Sequence, residues 1–390
     1  MKILHAVEFY WPHIGGAQEV VRRLSEEMVR LGHHVTVATT HLPERKSKFH
    51  NGVQIEEFKV RGNWTQGMEG EVERYREWVN TEKFDVIMMY AAQQWTTDAL
   101  LPHLQEISGR KVLVPCGFSG LHVDSYREYF LKLKEWLKSV DRCVILSDSY
   151  QDTRYLKEAG YNKIQLIPNG AAAEEFNEIH QRRGRMRVRL GINKETRLLL
   201  HVGSHTGFKG HDELIQAFRQ ARVSDAHLLI VGNRLSRRCH WKCQLSEKMS
   251  RIDPRLLLQR KRIDVLELSR DEVLDAYADA DLFTFFSNVE CSPIVLFEAA
   301  AAGAPFLASS AGNSQEISEW LGSGEVLSLT EQKEGKAAVS VQQATQALER
   351  LLSNPAALKD RGAKGREAWH KGYTWEAITK RYLDLYSEVI

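Results

Sequence analysis

Short apolar runs of strand length alternate with amphipathic helical segments along this chain, and the alternation stops and then restarts near its middle. Strands that alternate with helices imply parallel βαβ units with right-handed crossovers. In the first half, a buried strand is expected over 3–9 and an amphipathic helix over 18–31, with Gly32 placed where a helix end favours a left-handed residue. Further strand runs fall at 35–38, 86–89, 112–114 and 143–146. A further strand at 163–170 ends in the turn signal Pro168-Asn169-Gly170, and the chain turns polar and Arg-rich through 182–189. Residues 176–190 therefore read as a linker. The pattern resumes with strands at 197–202, 228–232, 282–286 and 306–309 and a helix over 212–221. A closing helix over 375–390 carries Ile378, Tyr382, Leu385 and Tyr386 at helical spacing. With 390 residues, more than one hydrophobic core is expected. The reading is an α/β protein of two doubly wound, Rossmann-like domains: 1–176 joined by the helix 374–390, and 190–373.

Composition excludes several classes. The net charge of +2 gives no reason to expect nucleic acid. No apolar run approaches the roughly 20 residues that cross a bilayer. Residues 1–7 read as a first strand, not a signal peptide, since Tyr10-Trp11-Pro12 follows and no small-residue cleavage site does. The expected location is cytoplasmic. The five cysteines, Cys116, Cys143, Cys239, Cys243 and Cys291, are scattered and make no disulfide framework. Cys239-His240-Trp241-Lys242-Cys243 lacks a second Cys/His pair close by in the sequence, so these residues read as surface positions on a basic segment and no metal site is expected.

Ligands of open α/β sheets bind beyond the carboxyl ends of strands, so chemistry is sought in the strand-to-helix loops. The loop Ser287-Asn288-Val289-Glu290-Cys291-Ser292-Pro293 precedes a helix. Ser292 suits an N-cap and Pro293 a first helical position, which leaves the amides of Ile294 and Val295 open at a positive helix end, a site for a diphosphate. Glu290 and Glu298 flank that point and suit hydroxyl groups on either side of a phosphate; the alternative is a surface Glu and a helix Glu without a role. In Gly203-Ser204-His205-Thr206-Gly207-Phe208-Lys209-Gly210 the glycines allow close approach, and Lys209 supplies a movable charge. The order Phe-Lys-Gly after Gly207 rules out a Walker A loop. Gly15-Gly16, after the first strand, is either a phosphate-approaching turn or a plain one. Asp279-Ala280-Asp281 reads as a cap and turn, with metal binding as the lesser alternative.

Together these loops resemble family 4 of the retaining glycosyltransferases, which have the GT-B fold: two Rossmann-like domains facing across a cleft, with a C-terminal helix crossing back to the first domain. The resemblance spans nearly the whole chain. It runs through Pro12-x-x-Gly15-Gly16, Arg30-Leu31-Gly32-His33-His34-Val35, Ser147, Ile167-Pro168-Asn169-Gly170 with Phe176, Val202-Gly203 with Lys209-Gly210, and Tyr277-Ala278-Asp279-Ala280-Asp281. It continues through Glu290-x₇-Glu298 with Gly303-Ala304-Pro305, Ala311-Gly312-Asn313-x-x-Glu316-Ile317 and Tyr373-Thr374-Trp375-Glu376. The resemblance implies sugar transfer from a UDP- or GDP-sugar to a glycan, lipid-linked or small-molecule acceptor, with retention and without a metal, the donor being a substrate and no cofactor being needed. Glu298 would hold the ribose and Glu290 the donor sugar. Lys209 would bind the diphosphate with backbone groups of Gly15, Gly16, Gly203, Ser204, Ser292, Pro293 and Ile294, and the base would lie against 262–268, with Ile263 at its contact. The leaving phosphate itself would take the acceptor proton, so no carboxylate base is implied.

Two positions depart from the family. Ser204 stands where an Arg is usual, so Arg237 or Arg238 is a candidate replacement. Cys116 stands where many members have His; His122 is the candidate to act in its place, and the Cys116 thiol reads as small and buried. These departures motivate a rival reading, a non-catalytic GT-B scaffold or binding subunit; a sugar-nucleotide epimerase is a third. Residues 127–140 combine an apolar stripe with Lys and aromatics, which suits either an interfacial helix on anionic lipid or a helix packed on the first domain.

Overall fold

The computed structural model describes residues 1–331 and 337–390. The chain forms two compact units, Met1–Asn169 with Trp375–Ile390, and Gly170–Thr374. The division falls at Asn169/Gly170, ahead of the expected linker.

Unit 1 is built on an eight-stranded sheet. Its strands are β1 (Lys2–Ala6), β2 (His34–Thr40), β3 (Phe49–His50), β4 (Val53–Phe58), β7 (Val86–Tyr90), β8 (Arg110–Val114), β9 (Arg142–Ile145) and β10 (Ile164–Leu166); a separate hairpin pairs β5 (Val60–Asn63) with β6 (Gly67–Gly70). The order is β10-β9-β8-β7-β1-β2-β4-β3, and every pairing except the short β3–β4 turn-back is parallel. Strands covered on both faces read as continuous apolar runs, which is why β7 is buried at every position. The helix Gly16–Arg30 lays Val20, Val21, Leu24 and Met28 inward, and Gly32 beyond it has φ +86°. The helix Trp375–Val389 buries Trp375, Ile378, Tyr382, Leu385 and Tyr386 in this unit. His5 of β1 ties the three elements together: its Nδ1 lies 2.7 Å from Ser25 Oγ, and its Nε2 lies 3.4 Å from Tyr386 Oη. Burial lowers the pKa of His5 to about 3, so it stays neutral there.

The segment 127–140 is resolved by packing. The helix Arg127–Trp136 buries Tyr129, Phe130 and Leu133, and Trp136 meets Trp64 edge-on at 5.6 Å. The apolar stripe serves the core of unit 1; Arg127, Glu128, Leu131, Lys132, Lys134, Glu135 and Lys138 are left exposed, and Lys138 pairs with Glu135.

Unit 2 holds a six-stranded sheet of β11 (Arg197–Val202), β12 (Ala226–Val231), β13 (Lys261–Leu266), β14 (Leu282–Phe285), β15 (Phe306–Ser309) and β16 (Gly324–Leu327). All strands are parallel, in the order β13-β12-β11-β14-β15-β16.

Residues 176–190 are not a linker. Phe176, Ile179, Met186 and Leu190 are buried in the core of unit 2, where Phe176 packs edge-on against Tyr277 at 5.9 Å and Trp369 at 6.3 Å. The arginines that suggested a solvated tether have acidic partners on or beside the helix Arg270–Asp279. Arg182 meets Asp271 at 2.5 Å and Asp275 at 2.9 Å, Arg187 meets Asp281 at 2.8 Å, and Arg189 pairs with Glu272. The Asp279 carboxylate accepts from the backbone N–H of Gly184 at 2.6 Å and of Arg187 at 3.0 Å. Both aspartates of Asp279-Ala280-Asp281 thus clamp the start of the unit.

No helix among the described residues is long and apolar enough to cross a membrane.

Candidate active site

In unit 2 the strand order reverses between β11 and β14, which lie side by side with Leu199 opposite Leu282 and Leu200 opposite Phe283. At such a switch point the loops leaving two adjacent strands diverge to opposite faces and open a crevice. The loops here are 203–210, after β11, and 286–293, after β14.

Backbone contacts stitch the two loops together. The Asn288 N–H donates to Phe208 O at 2.7 Å, and the Ser287 hydroxyl donates to the same carbonyl at 3.2 Å. Gly210 makes the close approach possible. It has φ +68°, and a Cβ there would lie 1.9 Å from Phe286 O. With the loops so held, Lys209 Nζ donates to Glu290 Oε1 and sits 5.7 Å from the centre of the Phe285 ring. Both side chains are largely shielded, 25% and 13% exposed, so the pair is a half-buried, neutralised one. In such a pair a phosphate would compete with Glu290 for the ammonium and leave the carboxylate to accept from hydroxyls.

The helix after the second loop is Ile294–Ala302, with Pro293, not Ser292, at the N-cap and no side-chain cap. Pro293 is extended (φ −72°, ψ 111°), and the preceding turn is fixed by the Asn313 N–H donating to Cys291 O at 3.0 Å. The helix therefore starts one residue later than expected. Lacking a side-chain cap, its first-turn amides suit an anion.

Glu298 lies one turn into this helix, 8% exposed. Its Oε1 accepts from Arg270 Nη2 at 2.6 Å and its Oε2 from the Tyr277 hydroxyl at 3.0 Å. Arg270 also donates to Glu175 Oε2 at 2.6 Å. Sequence reasoning missed Arg270, Tyr277 and Glu175, because nothing in their spacing links them to Glu298. Burial and the adjacent carboxylate hold the Tyr277 hydroxyl well above the usual tyrosine range, so it acts as a donor.

The remaining expected residues fall as follows. Gly203 follows β11, and its N–H donates to Val231 O at 2.9 Å. Ser204 is half-buried beside it, and Arg237 and Arg238 are exposed at the start of the helix Arg237–Ser250. Ile263 is misplaced as a base contact: it lies mid-strand in β13 opposite Leu228, wholly buried in the core. The ligand-side end of that strand is Leu266, three residues further on. Cys239 and Cys243 are not surface residues either. Both are buried on the inner face of their helix, and His205 and His211 lie against Cys239, a second pair distant in sequence and adjacent in space.

In unit 1, Gly15 is the extended N-cap of the helix Gly16–Arg30, and its carbonyl accepts from Glu19 N at 2.9 Å. It starts a helix and forms no left-handed turn. A Cβ on Gly15 would lie 2.3 Å from Gln18 Oε1, whereas one on Gly16 would meet nothing. Cys116 and His122 follow β8. Cys116 is half-buried with φ +57°, and His122 is exposed.

Comparison with known proteins gives the same placement for the chain. The family model described as glycosyl transferases group 1 matches residues 182–368, and that of glycosyltransferase family 4 matches residues 14–175. An uncharacterized glycosyltransferase of Methanocaldococcus jannaschii is 26% identical over 342 residues, covering 81% of this chain and 82% of that protein. The N-acetyl-alpha-D-glucosaminyl L-malate synthase of Bacillus anthracis is 21% identical over 100% of this chain and 98% of its own. The crystal structure of Anabaena HepE in complex with UDP superposes with a TM-score of 0.75 at 18% identity, over 100% of both chains. With two Rossmann-like units, parallel sheets and paired Lys209 and Glu290 loops at a strand-order reversal, the chain belongs to the family 4 glycosyltransferases of GT-B fold.

Proposed function

We propose that the chain transfers a hexose, with retention, from a UDP- or GDP-sugar to a glycan, lipid-linked or small-molecule acceptor. The observation that carries this reading is the Lys209–Glu290 pair in the loops that leave two adjacent parallel strands, with Glu298 one turn into the helix that follows. Lys209 and the first-turn amides of the helix Ile294–Ala302 would take the charge that grows on the leaving diphosphate. Glu290, released from Lys209, would hold the donor sugar hydroxyls, and Glu298 would use its remaining lone pairs for the ribose. The leaving phosphate would accept the acceptor's proton on the same face. Rate enhancement then rests on positioning and charge stabilisation, and the transfer itself draws on no metal. HepE crystallised with UDP and with UDP-glucose supports a uridine donor.

Calorimetry with UDP, GDP, ADP and their sugars, followed by donor hydrolysis and transfer assays, tests the proposal. Binding of one nucleoside diphosphate with donor-dependent turnover is expected. Tight nucleotide binding without any turnover would favour the scaffold reading that Ser204 and Cys116 motivate. Product formed without acceptor, other than by hydrolysis, would favour an epimerase. Contact of the exposed Lys132, Lys134 and Lys138 face with anionic lipid is proposed alongside, and vesicle sedimentation that shows no binding disposes of it.

A further inference from the structure

Lys209 is bracketed by two histidines, and both are buried against Cys239 of the helix Arg237–Ser250, which also carries the buried Cys243. His205 is wholly buried, His211 is 3% exposed, and Cys239 and Cys243 are 9% and 0% exposed. Cys239 Sγ lies 3.6 Å from His205 Nδ1 and 3.7 Å from His211 Nδ1. The ligand atoms of His205, Cys239 and Cys243 all fall within 4.8 Å of one another; His211 stands outside that group and touches it at Cys239. Zinc–sulfur bonds of about 2.3 Å and zinc–nitrogen bonds of about 2.1 Å, set tetrahedrally, separate ligand atoms by roughly 3.4–3.8 Å. The two sulfur–nitrogen distances already have that length.

Hydrogen bonding accounts for part of the arrangement: Cys239 Sγ can give its proton to one of the two Nδ1 atoms that face it and accept weakly from the other. The Nε2 atoms of His205 and His211 have no hydrogen-bond partner among the described residues. The two rings stack at 4.6 Å and 21°, and the His240 ring lies 4.8 Å from that of His205. A cation shared by two thiolates and two Nδ1 atoms would replace those weak sulfur contacts with bonds, and that donor set suits zinc.

We propose that His205, His211, Cys239 and Cys243 bind one zinc ion, which fastens both ends of the Lys209 loop to the helix Arg237–Ser250. Binding replaces the two thiol protons, which pass to water, with two zinc–sulfur bonds. The surroundings suit a closed structural site. Leu214, Phe218, Leu228 and Phe286 belong to the same apolar cluster as the two cysteines, and His201 closes one side with its ring 4.6 Å from His211 and its Nδ1 2.9 Å from Thr284 O. The role goes beyond sugar transfer: the ion would hold in place a loop whose neighbour Ser204 supplies no charge of its own.

The test uses the full-length, reduced, chelator-treated protein titrated with Co²⁺ and then with Zn²⁺. One equivalent of Co²⁺ should give the intense visible bands of a tetrahedral site and a thiolate charge-transfer band, and Zn²⁺ should displace it. The Cys243→Ser variant should lower Co²⁺ affinity at least 100-fold, while Cys116→Ser keeps the spectrum. Zinc should also slow amide exchange at residues 203–211 at least tenfold. A folded wild-type chain that shows no thiolate–cobalt band, or keeps it in Cys243→Ser, overturns the site. Unchanged exchange in the zinc form overturns its role in holding the loop. None of these readouts depends on glycosyl transfer, so the zinc site and the catalytic reading can fail separately.

Discussion

Lys209 donates from its Nζ to the Glu290 carboxylate across 81 residues of sequence, and the pair occupies the point where the sheet of unit 2 reverses its strand order. The two half-buried charges offset each other, and on the proposed reading each would turn to a ligand when one arrives. Lys209→Ala should lower affinity for the nucleoside diphosphate about 10- to 100-fold, the loss of one charge-assisted hydrogen bond of about 1.5–3 kcal/mol. Glu290→Gln should tighten nucleoside diphosphate binding, because the carboxylate that competes for Lys209 is gone, and lower kcat, because it removes a contact to the sugar. Calorimetry with the nucleotide alone, beside steady-state kinetics with the donor, separates the two.

Arg270 stands between Glu175 and Glu298, 2.6 Å from an oxygen of each. Removing it leaves two shielded carboxylates without their shared cation, which is costly. Arg270→Ala should lower Tm and weaken nucleotide binding about tenfold, since Glu298 loses one of the two donors that aim it. Adding Glu175→Gln should restore part of the Tm and none of the affinity. Equal recovery of both would mean that Arg270 acts on stability alone.

Gly210 combines a left-handed backbone with contact against Phe286 O, where a Cβ would stand 1.9 Å away. Gly210→Ala should therefore push the Lys209 loop off the end of β14. A destabilisation of about 2 kcal/mol or more is expected, together with a fall in donor kcat/KM. Chemical denaturation and kinetics on the same sample check both. Gly16→Ala, at a position where a Cβ meets nothing, should leave stability within about 0.5 kcal/mol.

Asp98 in unit 1 carries a stability effect that depends on pH. Burial raises its pKa to about 6, against the opposing pull of three donors, Trp64 N–H, the Tyr129 hydroxyl and Gln93 N–H. Between about pH 4 and pH 6 the folded chain holds a proton that the unfolded chain has released, so this group lowers stability as pH rises through that window. Asp98→Asn has no such proton. Its stability relative to wild type should improve by about 1–3 kcal/mol from pH 4 to pH 6 and stay level above. Urea denaturation at three pH values reads the difference, and a flat difference would remove Asp98 as the source.

The readable part of the candidate site was the part carried by contiguous residues. The 197–202 and 306–309 strands needed no adjustment, and Glu290, Glu298 and Lys209 stood in loops whose glycines and prolines mark them. Ser292 missed the N-cap by one residue, a shift that local propensity does not resolve. The Arg-rich stretch 182–189 misled for a physical reason. Its partners Asp271, Asp275, Glu272 and Asp281 lie 83 to 94 residues away, so a charge run that looks solvated in isolation is paired in the fold. Cys239 and Cys243 misled in the same way, since His205 and His211 reach them from the far side of β12 in sequence.

Sequence by itself determined the βαβ rhythm, the two sheets and the loops at their carboxyl edges, because hydrophobic period and turn chemistry are local and survive without knowledge of neighbours. Only the tertiary structure decided which charged and ligating groups meet. Lys209 finds Glu290, Arg270 finds Glu298 and His205 finds Cys239 through parallel strands whose crossovers bring distant residues to one edge, and no local pattern encodes that adjacency.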